Sequence, residues 1–185
     1  PWLLRLSDLR ALGRVLLRAG SRRNYFVLVI LAALTMANAL AHGGAQAWLA
    51  VSPLLGLHLA IALIAVLCTV IAGRIVPSFT ANALKTVPWK HARVDQLAIA
   101  ATVASLLLWA CEGPAVLLGP LALVAALAQA LRCWGWRPLP TWRVPLLWIM
   151  HVSHGWLIVA LLVLAASTLG WVEAKVAVHV LTVGL

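Results

Sequence analysis

Charge is scarce in this 185-residue chain: charged residues make up 10% of it, and only four are acidic. With 64% hydrophobic residues and a mean hydropathy of +1.04, a water-soluble fold would have too little polar side-chain surface to cover itself. A soluble globular protein is therefore excluded, and an integral membrane protein is expected. The shortage of carboxylates also removes chemistry built on them. Asp95 and Glu112 fall near span ends, where a carboxylate is ordinarily solvated, and neither a general acid and base pair nor a proton-relay series is present. Cysteine is nearly as sparse. Cys68, Cys111 and Cys133 have neither C-x-x-C nor C-x-x-C-H spacing, so thiolate zinc and covalently attached c-type haem are not indicated. No Walker loop, G-x-G-x-x-G or H-E-x-x-H occurs.

What the chain has in quantity is apolar run. Stretches near 24–42, 50–72, 95–111, 114–131 and 144–169 each approach or exceed the roughly 20 residues that a helix needs to cross a hydrocarbon core of about 30 Å, and a sixth begins near 176. A transmembrane strand would need only about 10 alternating residues. The expected fold class is therefore all-α: a polytopic transmembrane helical bundle of five complete spans plus the start of a sixth, forming a single domain over 1–185. The chain opens at Pro1 within what reads as an internal segment and stops at Gly184-Leu185 within a new apolar run. It is thus expected to be a fragment whose missing remainder belongs to the same polypeptide.

The net charge of +10 suggests an anionic partner. Nucleic acid would require the cations to gather on a folded polar face, but here they lie between apolar spans, so the partner they imply is anionic lipid in a bilayer. Arg5, Arg10, Arg14 and Arg18 make 1–23 a basic amphipathic segment, closed by Arg22 and Arg23. Together with the 73–93 and 132–143 connections, it holds thirteen of the fourteen cations. The positive-inside rule then places 1–23 in the cytoplasm. Tryptophan follows the same ladder: Trp48, Trp109 and Trp171 near the outer ends, and Trp89, Trp134, Trp136 and Trp142 near the inner ends, as aromatic belts predict.

Histidine is the informative polar residue. His151 and His154 stand three apart in an uncharged run and share a helical face. At ~1.5 Å per residue they lie roughly 10 and 15 Å above the cytoplasmic boundary, while His58 and His179 lie roughly 10 Å in from the outer side. His42 falls at the outer rim, and His91 stands apart in a cytoplasmic loop. Imidazoles in such a band suit haem iron or copper, and each of them can also serve only as an interhelical hydrogen-bonding group. Trp148 and Trp156 flank the pair, either walling a flat cofactor or packing on a neighbouring helix. A second stretch, Gly73 to Asn82, has a glycine and a proline that bracket a helix end or kink. Arg74 beside Ser78, Thr80 and Asn82 serves either as an interfacial anchor or as a holder of an anion such as a haem propionate.

That second stretch, G-R-I-V-P-S-F-T-A-N, closely resembles the G-R-x-x-P-x-F-T-x-N signature of the NnrS family of bacterial membrane proteins. Arg23-Asn24-Tyr25-Phe26 with Asn38 and His42, Trp148 to Leu157, and His179 to Gly184 match in the same order. The resemblance covers essentially the whole chain and implies the C-terminal half of a haem- and copper-containing protein of the bacterial inner membrane, linked to denitrification and nitric oxide resistance. It implies metal-binding roles for His42, His151 and His179, and a cofactor-binding role for Arg74 and Asn82 within the loop signature. His58 and His154 join the candidate metal ligands on depth alone. His154, preceded by Ser153, stands where the family usually has an aromatic residue after a glycine. The implied partner is nitric oxide or an iron-nitrosyl species meeting a haem in the bundle. A transporter or permease-like subunit with histidines lining a solute path is the competing expectation, and a metal-free scaffold is a third.

Overall fold

The computed structural model describes residues 25–184, so the basic segment expected over 1–23 lies outside the described residues. Six α-helices follow in order: α1 Tyr25–Ala45, α2 Pro53–Leu84, α3 Ala92–Ala110, α4 Ala115–Gly135, α5 Pro145–Thr168 and α6 Ala174–Val183, with a 3₁₀ turn at Leu139–Arg143 before α5. The first five are long and apolar enough to cross a membrane, and α6 is shorter. No strand occurs among the described residues. The all-α expectation is met, and the expected spans agree with the helices except at the ends of the second and the fourth, which run on to Leu84 and Gly135. Exposed Val116, Leu127, Leu146, Ile149 and Val152 leave outer faces apolar, the ordinary surface of a helix in lipid.

By internal packing the chain divides into two compact units at Leu67–Cys68, a point inside α2. In the first unit, α1 and the start of α2 meet through small residues. A Cβ at Gly56 would overlap the backbone carbonyl of Ala37 and the amide of Ala41, so the absence of a side chain there lets the two backbones approach. Ala37 is buried at that contact. The turn that reverses the chain begins with the Trp48 amide donating to the Gly43 carbonyl at 2.8 Å.

In the second unit α4 packs against α3 and α5, and α5 packs against α6 and the 3₁₀ turn. Alanines dominate the buried positions of α3 and α4: Ala98, Ala101, Ala110, Ala122, Ala125 and Ala126. Short side chains let polar groups at the next turns reach across, and those groups form the site described below. Near the middle of α5, the indole nitrogen of Trp156 donates to the Val180 carbonyl at 2.7 Å and fastens α6. Of the two roles expected for that tryptophan, this contact is the packing one.

Two expectations need correction. Gly73 and Pro77 do not end the second helix, which continues to Leu84 as a single 32-residue element. A proline inside a helix removes one backbone bond and crowds the carbonyl four residues back, here that of Gly73. Neighbouring polar groups can make up such a loss in a membrane helix. The signature segment consequently lies on a helix and not in a loop. The second correction concerns Arg132, counted above among loop cations, and Asp95, read as a solvated carboxylate. Arg132 lies inside α4, and the two form an ion pair within the bundle.

Candidate functional site

The site is built on the second unit from α2 after Cys68, the start of α3, the end of α4 and the first half of α5. α3 places Asp95, Ala98, Thr102 and Ser105 on one stripe, and α4 places Gln129, Arg132 and Cys133 on another, continued by Trp136 at its C-cap. The two stripes face each other. Gln129 donates through Nε2 to the Thr102 hydroxyl at 2.9 Å, and that hydroxyl donates back to the Ala98 carbonyl at 2.7 Å. Arg132 donates through Nε to Asp95 Oδ1 at 2.7 Å and through Nη1 to the Thr69 carbonyl on α2 at 3.2 Å. The guanidinium carbon also stands 5.1 Å from the Trp136 ring centroid, in the range of a cation–π contact.

These partners explain how an arginine that is 4% exposed is tolerated. A buried cation is costly unless it is paired and its donors are used. Carboxylate, carbonyl and indole face meet those needs together. Gly73 is required for the same reason: a Cβ there would overlap Nη2 of Arg132. The glycine of the signature thus serves a close approach of an arginine to the α2 backbone.

Trp136, 1% exposed, connects this charge cluster to the histidines. It was expected in an interfacial belt, and it is instead the largest fully buried side chain among the described residues. Its ring centroid lies 4.6 Å from that of His154 and 6.4 Å from that of His151, both tilted arrangements. His151 Nε2 lies 3.2 Å from the Thr80 hydroxyl, and Nδ1 lies 4.0 Å from Cys133 Sγ. This joins the signature segment on α2 to the histidine of α5. A groove of about 470 Å³ opens over His151 between Trp142, Trp148 and Leu139.

His154 faces a different space. A groove of about 330 Å³ is lined by it together with Thr69, Cys68, Met150 and Ser153, with aliphatic walls from Ile71, Ile75, Ile149 and Leu157 among others. Nε2 of His154 and Oγ1 of Thr69 are both buried with no hydrogen-bond partner.

Of the residues singled out from sequence, the structure brings together His151, His154 and Thr80. His179, on α6, is exposed, Asn82 is exposed at the end of α2, and Arg74 is half-buried one residue beyond Gly73. His42 and His58 belong to the first unit, where His42 is exposed and His58 half-buried. No group of three His, Cys, Asp or Glu close enough to hold a metal ion occurs among the described residues. Sequence reading passed over Arg132, Asp95, Gln129 and Trp136 as site residues. The available signal was their recurrence at helical period on otherwise apolar spans, which marks an inward polar face.

The chain matches no curated protein and no solved structure. A family model does match, over residues 5–185, nearly the whole length. That range includes Gly73 and Thr80, which approach Arg132 and His151, and the chain belongs to the family of NnrS proteins.

Proposed function

We propose that this chain is part of a haem- and copper-binding protein of the bacterial inner membrane, with residues 1–23 facing the cytoplasm, that meets nitric oxide or its iron-nitrosyl products within the bundle. The observation that carries the reading is the Thr80–His151 contact, because it ties the family's signature segment to one of its histidine positions. Orientation of an imidazole by a hydrogen bond to one nitrogen is how proteins prepare the other nitrogen for a metal.

The donors here fit copper. With Nε2 facing the Thr80 hydroxyl, the other nitrogen of His151 is 4.0 Å from the Cys133 sulfur. Imidazole and thiolate are both good copper ligands, and thiolate favours the cuprous ion. His42 and His179 are proposed to bind haem, each from its own unit, and both are exposed on the described chain. Arg74 and Asn82 are proposed to hold an anionic group of a cofactor at the other end of α2 through charge and hydrogen bonding. When bound, haem iron supplies a ligation position for nitric oxide. The chain's own part is to hold imidazoles in fixed tautomers and to surround them with apolar side chains that keep water out. Nitric oxide is small and uncharged, so it can enter through lipid without a polar channel.

The test is an optical spectrum with metal analysis on the purified full-length protein, before and after nitric oxide, in wild type and in His42→Ala, His151→Ala, His179→Ala and Cys133→Ser variants. Stoichiometric haem with a nitric-oxide-sensitive band is expected in wild type, lost in the His42 or His179 variant, with copper lost in the other two. Wild type without haem would refute the reading. Unaltered metal content in all four variants would refute the ligand assignment.

A further inference from the structure

We propose that the groove between the second half of α2 and the middle of α5 binds the headgroup of a membrane quinone, held by the Thr69 hydroxyl and the His154 imidazole. The inference stands apart from the haem and copper reading and uses none of the four ligands named there, although His154 is itself a candidate metal ligand on depth.

Two observations carry it. His154 is 4% exposed and Thr69 is 1% exposed, yet Nε2 of the one and Oγ1 of the other lack any partner. Leaving a buried polar group unmet costs about 1–3 kcal/mol each. A threonine in a helix ordinarily relieves this by bonding to a carbonyl one turn back, as Thr102 does to Ala98. Thr69 does not, although its own carbonyl is taken up by Arg132. Thr69 and His154, the residues that carry the two unmet atoms, both line the same groove of about 330 Å³, with the atoms themselves just beneath its wall. That volume is within the range of small-molecule sites, about 300–1,000 Å³.

The walls decide among occupants. A lipid chain would suit Ile71, Ala72, Ile75, Val76, Ile149 and Leu157 but would leave both polar groups unmet. Water, at about 30 Å³ per molecule, would need roughly ten molecules against mostly aliphatic walls while satisfying two groups. A flat ring bearing oxygens on opposite edges, carried on an apolar tail, meets both demands. The threonine hydroxyl donates to one oxygen, and the histidine Nε2–H donates to the other in the tautomer that places the proton there. Ile71, Ile75 and Ile149 are exposed at the rim, so the route of arrival is lateral, from the hydrocarbon.

The experiment is equilibrium binding of tritiated decylubiquinone to the full-length protein in lipid nanodiscs, with empty nanodiscs as the partition control. Saturable binding near one per protein is expected. Thr69→Val, close in shape but without the hydroxyl, should weaken it about tenfold, the effect of one hydrogen bond, and Thr69→Ser should retain wild-type affinity. His154→Phe should weaken binding at least as much, and Ile75→Trp should abolish it by filling the groove. Haem and copper content measured on the same samples should be unchanged in Thr69→Val, which separates failure of this site from failure of the metal reading. Non-saturable partition equal to that of empty nanodiscs would overturn the proposal, leaving water or lipid in the groove. Equal affinity in wild type, Thr69→Val and Ile75→Trp would overturn it as well.

Discussion

The hydroxyl of Thr80 and Nε2 of His151 lie 3.2 Å apart across two helices that are 71 residues apart in sequence. Both side chains are buried, so loss of this partner is costly. Thr80→Val keeps the shape and removes the bond, leaving a buried imidazole nitrogen unmet. It should lower stability by about 1–3 kcal/mol and loosen copper, while Thr80→Ser should behave as wild type. Thermal unfolding in detergent, with copper analysis alongside, checks both.

Asp95 and Arg132 form the next test. Removing one partner of a buried pair strands the other, at about 3–5 kcal/mol, an upper figure here because the Asp95 side chain is 33% exposed. Asp95→Leu alone should therefore unfold the protein at a markedly lower temperature. The double variant Asp95→Leu with Arg132→Met should recover much of the loss, since no charge is left stranded. A double variant no better than the single one would show that the ion pair is not what Asp95 contributes.

Gly73→Ala places a methyl group where the Arg132 guanidinium lies. Overpacking of this sort costs about 1–3 kcal/mol. The loss should largely vanish in an Arg132→Met background, and a double-mutant cycle reads the coupling directly.

Much of the fold was legible because its cause is local. Span length and apolarity fix five helices whatever their neighbours do. The positions that misled were those whose role depends on a partner far along the chain. Gly73 and Pro77 carry the local signature of a helix end, yet α2 runs through them, and Gly73 serves the approach of Arg132 from a different helix. Arg132 looked like a boundary cation because it follows an apolar run by one residue. Only the facing stripe on α3 shows that it has a partner inside the bundle. His151 was legible from its depth and from the family pattern. His154 drew notice by spacing alone, and its unmet nitrogen could not be read from any motif.

Trp156→Phe tests the fastening of α6. Loss of the indole donor to the Val180 carbonyl should cost about 1 kcal/mol and fall mainly on the local stability of that helix. Hydrogen exchange over residues 174–183 should quicken while the amides of α3 and α4 stay protected. Uniform quickening across the second unit would mean that the bond supports the whole unit and not α6 alone.

The length of α2 has a consequence for where the site meets water. Its 32 residues extend about 48 Å, against a hydrocarbon thickness of about 30 Å. Even at a tilt of about 40°, the steep limit for membrane helices, it spans about 37 Å, so about 7 Å, or roughly six residues at that tilt, must stand outside the hydrocarbon. The polar residues of α2 crowd its C-terminal end, where Ser78, Thr80 and Asn82 precede Lys85. Assigned to that end, the projecting length begins at about Thr80. The imidazole of His151 would then sit at the border between lipid and water, where a ligand could have its ring in oil and its charged groups in solvent.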